Sequence, residues 1–211
     1  MNFGSALEQV HRRAPLVDCI TNFVTVNDCA NILLAVGGSP TMASDIREVQ
    51  ETAAAASALL CNLGAIDKVE SMILGGQAAN RAGKPVVFDP VGAGNTSLRR
   101  AESARLLDAV QFAVIRGNAS EIRALAQRRA AGSGCMLTAL MGAFCGAMPG
   151  QPFAAACAAA ATMGVAGELA EARRLAHGTG NATFRTDLID AVFNLTPAQL
   201  DASVRWESYS K

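Results

Sequence analysis

The stretch KPVVFDPVGAG, residues 84–94, decides the fold. Pro85 to Phe88 is apolar without alternation, so a strand here is covered on both faces, as parallel strands lying between helices are. It closes on Asp89-Pro90, and Gly92 and Gly94 turn the chain away. Three further runs share this character: PLVDCITN (15–22), ALLCNLGA (58–65) and QFAVIRGN (111–118), each ending in turn-forming residues. Between them, apolar spacing predicts helices over 27–36, 44–57, 67–81 with Gly83 as the C-cap, and 98–109. Strands alternating with helices specify an α/β layered fold, a mostly parallel sheet flanked by helices. After NASEIRALAQ (118–127) helix follows helix to the end. MLTALMGAFCGAM (136–148) and FAAACAAAATMGVAG (153–167) read as buried helices joined by a turn at PGQP, each too short to span a bilayer.

Composition narrows the function classes. The 211 residues suit a single domain over 1–211, large enough to bury a proper core. Eighteen Lys and Arg balance eighteen Asp and Glu, so no basic surface invites nucleic acid. At 51% hydrophobic and 17% charged residues, part of the surface is expected to be covered by other subunits. Six cysteines without a CxxC pair, and only two histidines, argue against a zinc site or a secreted disulfide frame. The N-terminus lacks the cationic start and apolar core of a signal peptide. A reducing cytoplasm is the expected setting, with no membrane partner.

In open parallel sheets, ligands bind beyond the carboxyl ends of the strands. Here those ends carry Asn22, Asn62-Leu63-Gly64, Asp89 to Gly94, and Arg116-Gly117-Asn118. Neither GGQAANRAGKP nor GAGNTS has the spacing of a common phosphate loop. GSGC (132–135) is more informative. Gly132 and Gly134 at a helix entrance would let a ligand approach first-turn amides, with the positive end of the helix dipole behind them. Such a cradle suits migrating phosphoryl charge, and Cys135 would stand beside it as an ionisable thiol. The alternative makes Gly-Ser-Gly a turn and Cys135 a small core residue. Asn118 followed by Glu121 reads either as a capping box or as a carboxylate holding water on magnesium. Asp89 ends an apolar strand and needs a partner: a metal, Arg116, or nearby N–H groups. A cysteine hydrolase would need a base from His11 or His177, and both lie in polar segments.

Taken in order, CITNFVTVNDCANILLAVGGSPTM, NLG, DPVGAG, VIRGNASEI, GSGCMLTALMGAFCGA and GTGNATFRTDLIDAVFNLT resemble the hydroxyethylthiazole kinase family of the ribokinase-like superfamily. The similarity runs from about residue 10 to residue 200. It implies ATP- and Mg2+-dependent phosphorylation of the primary alcohol of 4-methyl-5-(2-hydroxyethyl)thiazole, in a homotrimer with pockets at subunit interfaces. By position, Asn22, Val24, Met42 and Gly64 would surround the thiazole, with Gly132 at the anion hole. Arg116 and Asn118 would serve ATP, and Asp89 and Glu121 the metal and phosphates. Cys135 would stand where most superfamily kinases place an aspartate base.

The resemblance breaks in three places. Asp18-Cys19 stands where the family has His-Cys, and Ala65 replaces a threonine. Between Ala126 and Gly132 the family carries a further helix, strand and hairpin, on the order of fifty residues. QRRAA stands in their place, an apparent deletion around 127–131. The absent strand normally walls the adenine, so a non-catalytic thiazole-binding paralogue, or a deletion variant with impaired ATP binding, is the alternative function.

Overall fold

The computed structural model describes residues 2–127 and 135–205. Its sheet is built from β1 (Leu16–Ile20), β2 (Ser39–Thr41), β3 (Ala58–Asn62), β4 (Val86–Asp89) and β5 (Val114–Ile115), all parallel, in the order β2-β1-β3-β4-β5. The four expected strands are present. The short Ser-Pro-Thr strand β2, too brief to show a period, was not anticipated. Every residue of β3 and β4 is buried, as their unbroken apolar runs require.

Helices α1 (Phe3–Arg13), α2 (Val26–Ala35), α3 (Val49–Ala55), α4 (Val69–Arg81), α5 (Ser97–Ala109) and α6 (Ala119–Gln127) connect or precede the strands. Four more, α7 (Cys135–Ala147), α8 (Pro152–His177), α9 (Asn181–Asn194) and α10 (Pro197–Ser203), complete the described chain. The helix expected over 44–57 is confined to α3, because residues 42–48 form a loop at the carboxyl end of β2. Gly83 takes the left-handed conformation, φ 66°, just past α4, as its reading as a terminator requires. Thr96 caps α5 by accepting the Arg99 N–H, and Thr196 with Gln199 forms a capping box on α10.

Two cores flank the sheet. Ile20, Leu59, Cys61, Val86 and Phe88 point to the side packed by α3, α4 and α5, where Phe88 stacks on Phe112 at 4.8 Å. Val17, Cys19, Leu60 and Val87 point to the side packed by α7 with α1 and α2. The free cysteines 19, 29, 61 and 145 are all buried, and burial pushes the Cys19 and Cys61 thiols up, so they behave as small apolar residues.

Helix α7 lies directly on the sheet because two glycines, four residues apart, clear its inner face. A Cβ on Gly142 would meet Val17 Cγ1 at 2.9 Å, and one on Gly146 would meet Ser57 Cβ at 2.9 Å and Pro15 Cβ at 3.3 Å. Pro15 and Ser57 precede β1 and β3, so α7 runs antiparallel to the strands. Its N-terminus, opening on Cys135, therefore stands at the carboxyl rim of the sheet.

Helix α8 extends well beyond its apolar first half, for 26 residues to His177. By length and composition it is the one described helix that could cross a membrane. In this fold Ala155, Ala158, Ala159, Thr162, Val165, Ala166 and Ala170 form a buried stripe on it, and it packs along α7 and α9.

Gly142→Leu should cost about 3 kcal/mol or more in stability, because Val17 is stiff and backbone lies behind it. Gly164→Ala, in open space on α8, should instead gain about 0.5–1 kcal/mol. Urea denaturation of the two variants checks both signs.

Candidate active site

The β1–α2 turn is organised by Asn22, whose Oδ1 accepts the Val24 and Thr25 N–H groups at 3.0 and 3.2 Å. Across it, Asn62 at the end of β3 accepts the Gly64 N–H at 2.8 Å. Gly64 has no room for a side chain: a Cβ there would meet Asn62 Oδ1 at 2.6 Å and Asn22 Nδ2 at 2.7 Å. These turns border a cavity of about 480 Å3 whose wall includes Cys19, Asn22, Met42, Ser44, Gly64 and Lys68. Its size suits a small heterocycle. Three of the four residues expected around a substrate thus share one cavity. The fourth, Val24, is 71% exposed beside Phe23, itself 90% exposed and on the cavity wall.

The β4–α5 loop is stitched in place from several directions. Arg99 Nη1 donates to the Leu63 and Val91 carbonyls, both at 2.8 Å, and Arg100 Nη1 donates to the Gly94 carbonyl at 2.7 Å. Gly92 adopts φ 70°, which suits only glycine, and its N–H donates to Glu121 Oε1 at 3.2 Å. Glu121 Oε2 accepts the Asn118 N–H at 2.8 Å, while Asn118 Oδ1 accepts the Glu121 N–H at 3.0 Å. Asn118 and Glu121 thus form the reciprocal capping box of α6, and Glu121 also ties α6 to the loop after β4.

Asp89, paired in register with Asn62, is fully buried. Its Oδ2 accepts the Thr138 hydroxyl of α7 at 2.9 Å, lies 3.4 Å from Asn62 Nδ2, and stands 4.0 Å from Arg116 Nη1. Among the described residues its Oδ1 is buried without a partner. Burial pushes the Asp89 carboxyl up to about 6, against the opposing Thr138 hydrogen bond and the Arg116 charge, while Glu121 adds to the rise. Arg116 is only partly buried, so its guanidinium reaches both Asp89 and the open rim.

The structure brings Asp89, Arg116, Asn118 and Glu121 together on the β4–β5 side, and Asn22, Met42 and Gly64 on the β1–β3 side. Gly132 and Gly134 lie outside the described residues, as does the side chain of Cys135. Sequence reading passed over Arg99, Arg100 and Thr138. The Arg-Arg pair one residue beyond GAGNTS was a usable signal, whereas Thr138 inside an apolar helix resembled any core threonine.

Among the described residues, no three or more His, Cys, Asp or Glu side chains gather as a metal cage. Mg2+ does not need one, since it binds through one or two carboxylates plus phosphate and water oxygens. Asp89 Oδ1, a hard oxygen without a partner, fits that demand. Glu121, whose two oxygens already accept backbone N–H groups, is left to meet a metal only through water.

Asp18 departs from the family pattern and is also fully buried. Its Oδ1 accepts the Ala43 N–H at 3.0 Å, next to the cavity residue Met42, and its Oδ2 has no partner. Burial pushes this carboxyl up to about 7, against the Ala43 and Cys19 backbone hydrogen bonds, with Glu48 adding to the rise.

The profile of the hydroxyethylthiazole kinase family matches this chain over residues 7–131 and again over 128–198. The two matches meet where the sequence lacks its expected crossover. The hydroxyethylthiazole kinase of Clostridium acetobutylicum is 36% identical over 269 aligned positions, covering 96% of this chain and 98% of the relative. That alignment is far longer than the chain's 211 residues, which reflects a segment present only in the relative. The Desulfovibrio desulfuricans enzyme is 53% identical over 134 residues, covering 63% of this chain and 47% of its own. The solved structure of the Pyrococcus horikoshii hydroxyethylthiazole kinase protein superposes with a TM-score of 0.86 at 30% identity, covering 96% of this chain and 97% of that one.

A carboxyl raised by burial keeps its stabilising proton below its unfolded pKa and loses it as pH rises through the folded value. Stability should therefore fall between about pH 4 and pH 7 as Asp18 and Asp89 ionise. Asp18→Asn should raise the melting temperature more at pH 8 than at pH 4. A gain that is equal at both pH values contradicts the burial of that charge.

Proposed function

The chain belongs to the hydroxyethylthiazole kinase family, and on that premise we propose that it moves the γ-phosphoryl group of ATP to the primary alcohol of 4-methyl-5-(2-hydroxyethyl)thiazole at the carboxyl rim of its sheet. One observation carries this reading. A cavity of small-ligand size on the β1–β3 side adjoins, on the same rim, a buried carboxylate bonded to the first turns of α7.

Phosphoryl transfer asks a protein for positioning and charge stabilisation more than for covalent work. Met42 offers the thiazole a soft, polarisable contact, while Asn22 and Gly64 shape the opposite wall. Val24 and Phe23, exposed at the cavity mouth, are apolar enough to be covered by a neighbouring subunit in a homotrimer. Arg116 meets the ATP phosphates, and Asn118 holds the α6 entrance through its cap. The first-turn amides of α7, with Gly132 and Gly134 before them, receive charge as it shifts. Cys135 takes the proton of the alcohol. Its oxygen then bonds to the γ-phosphorus, the bond to the β-bridging oxygen breaks, and ADP leaves. Thiolates are favoured at helix N-termini, which suits this role. Asp89, with Glu121 acting through water, would hold Mg2+, which would supply neutralisation of the phosphate charge. A single domain in the cytoplasm completes the reading.

The missing segment favours a second reading, a thiazole-binding paralogue with weak ATP use. A coupled ADP-release assay separates the two: ADP formation that depends on the thiazole alcohol selects the kinase, and thiazole binding without turnover selects the paralogue. Met42→Ala should raise KM for the alcohol by roughly tenfold, the worth of a lost apolar contact. Cys135→Ala should lower kcat by on the order of a hundredfold, as loss of a general base does, whereas Cys135→Asp should keep or raise it. Equal rates for all three forms remove Cys135 from the reaction.

A further inference from the structure

Asp89 presents its two oxygens to unlike surroundings. Neighbours from three elements converge on Oδ2: Thr138 from α7 at 2.9 Å, Asn62 from β3 at 3.4 Å, and Arg116 after β5 at 4.0 Å. Only the first has the geometry of a strong hydrogen bond; the second is long, and the third is a charge contact. Oδ1 is buried and has no partner among the described residues. The terminal torsion of an aspartate is broad and nearly two-fold, so one well-placed donor decides which oxygen faces which way.

Thr138 is that donor. It is fully buried, on the fourth residue of α7, whose first residue is Cys135. Its hydroxyl reaches across to β4. One hydrogen bond therefore fixes the plane of the Asp89 carboxylate and ties the α7 entrance, already aimed at the rim by the Gly142 and Gly146 packing, to the strand end.

We infer that Thr138 is a positioning residue of the phosphoryl-transfer site, occupying Asp89 Oδ2 so that Oδ1 is the oxygen left for the metal that would accompany the phosphates. The role rests on the kinase reading above. It adds no proton transfer and no contact with the alcohol. Removing the hydroxyl lets the carboxylate rotate and the α7 entrance drift, which costs transition-state stabilisation and leaves the thiazole cavity intact.

Three variants test this, each measured for kcat, for KM of both substrates, for thiazole-alcohol binding by calorimetry, and for melting temperature. Thr138→Val removes the hydroxyl at nearly constant shape, and should lower kcat tenfold or more with alcohol affinity within about twofold of the unaltered protein. Thr138→Ser and Thr138→Ala both lose the methyl group and differ only in the hydroxyl. Serine should restore kcat to within about threefold, and alanine should not. That pair carries the test if the valine form does not fold. Equal kcat for serine and alanine, or losses that follow melting temperature alone, overturn the role. A fall confined to alcohol affinity overturns it too. Absence of alcohol-dependent ADP release from the unaltered protein overturns the kinase reading itself; turnover with no serine–alanine difference overturns Thr138 alone.

Discussion

Asp89 places a carboxylate where the sheet alone would favour an apolar side chain. It ends a strand that is buried throughout, and the cost of taking that charge out of water shows in its raised pKa. Asn62, Thr138 and Arg116 come from three different elements to meet it, and all of them meet the same oxygen. An arrangement serving stability alone would satisfy both oxygens, or dispense with the charge. A rim that holds a charged oxygen dry, next to a helix entrance and a partly exposed arginine, is suited to charge arriving from outside.

The position of that entrance follows from packing on the far side of α7. Gly142 and Gly146 let the helix lie against β1 and the start of β3, and this contact aims its N-terminus at the rim. The segment missing relative to the family falls between α6 and α7, on the β5 flank, and among the described residues the sheet ends at β5. The 480 Å3 cavity lies on the other flank, around the ends of β1, β2 and β3. The shortening therefore lies away from the cavity beside Met42 and bears on the β5 flank, where the proposed nucleotide contacts stand. Arg116 and the capping box of Asn118 and Glu121 stand at that boundary, still joined to the β4 loop through Gly92.

Much of this was legible in the sequence. Unbroken apolar runs ending in Asn, Asp or Arg located four strands and the rim they share, because burial on both faces removes the alternation that a half-exposed strand shows. Gly64 was legible as a turn residue at the rim, though the close approach of Asn22 and Asn62 that requires glycine there needs coordinates. Other features left no local trace. β2 is three residues long, and the 42–48 loop carries helix-compatible residues held open by the Asp18 contact with Ala43. Thr138 acts through an aspartate 49 positions away. Asp18 looked like a modest exchange at a strand position, and its buried, half-paired state depends on the loop folded over it.

The central claim is that the entrance of α7 and the end of β4 together hold the migrating phosphoryl group. A crystal structure with the thiazole alcohol and a non-hydrolysable ATP analogue tests it most directly. The account predicts the heterocycle against Met42 and the γ-phosphate over the first turn of α7, near Asp89 Oδ1. A γ-phosphate bound elsewhere on the sheet, with the α7 entrance covered by packed side chains, would contradict it.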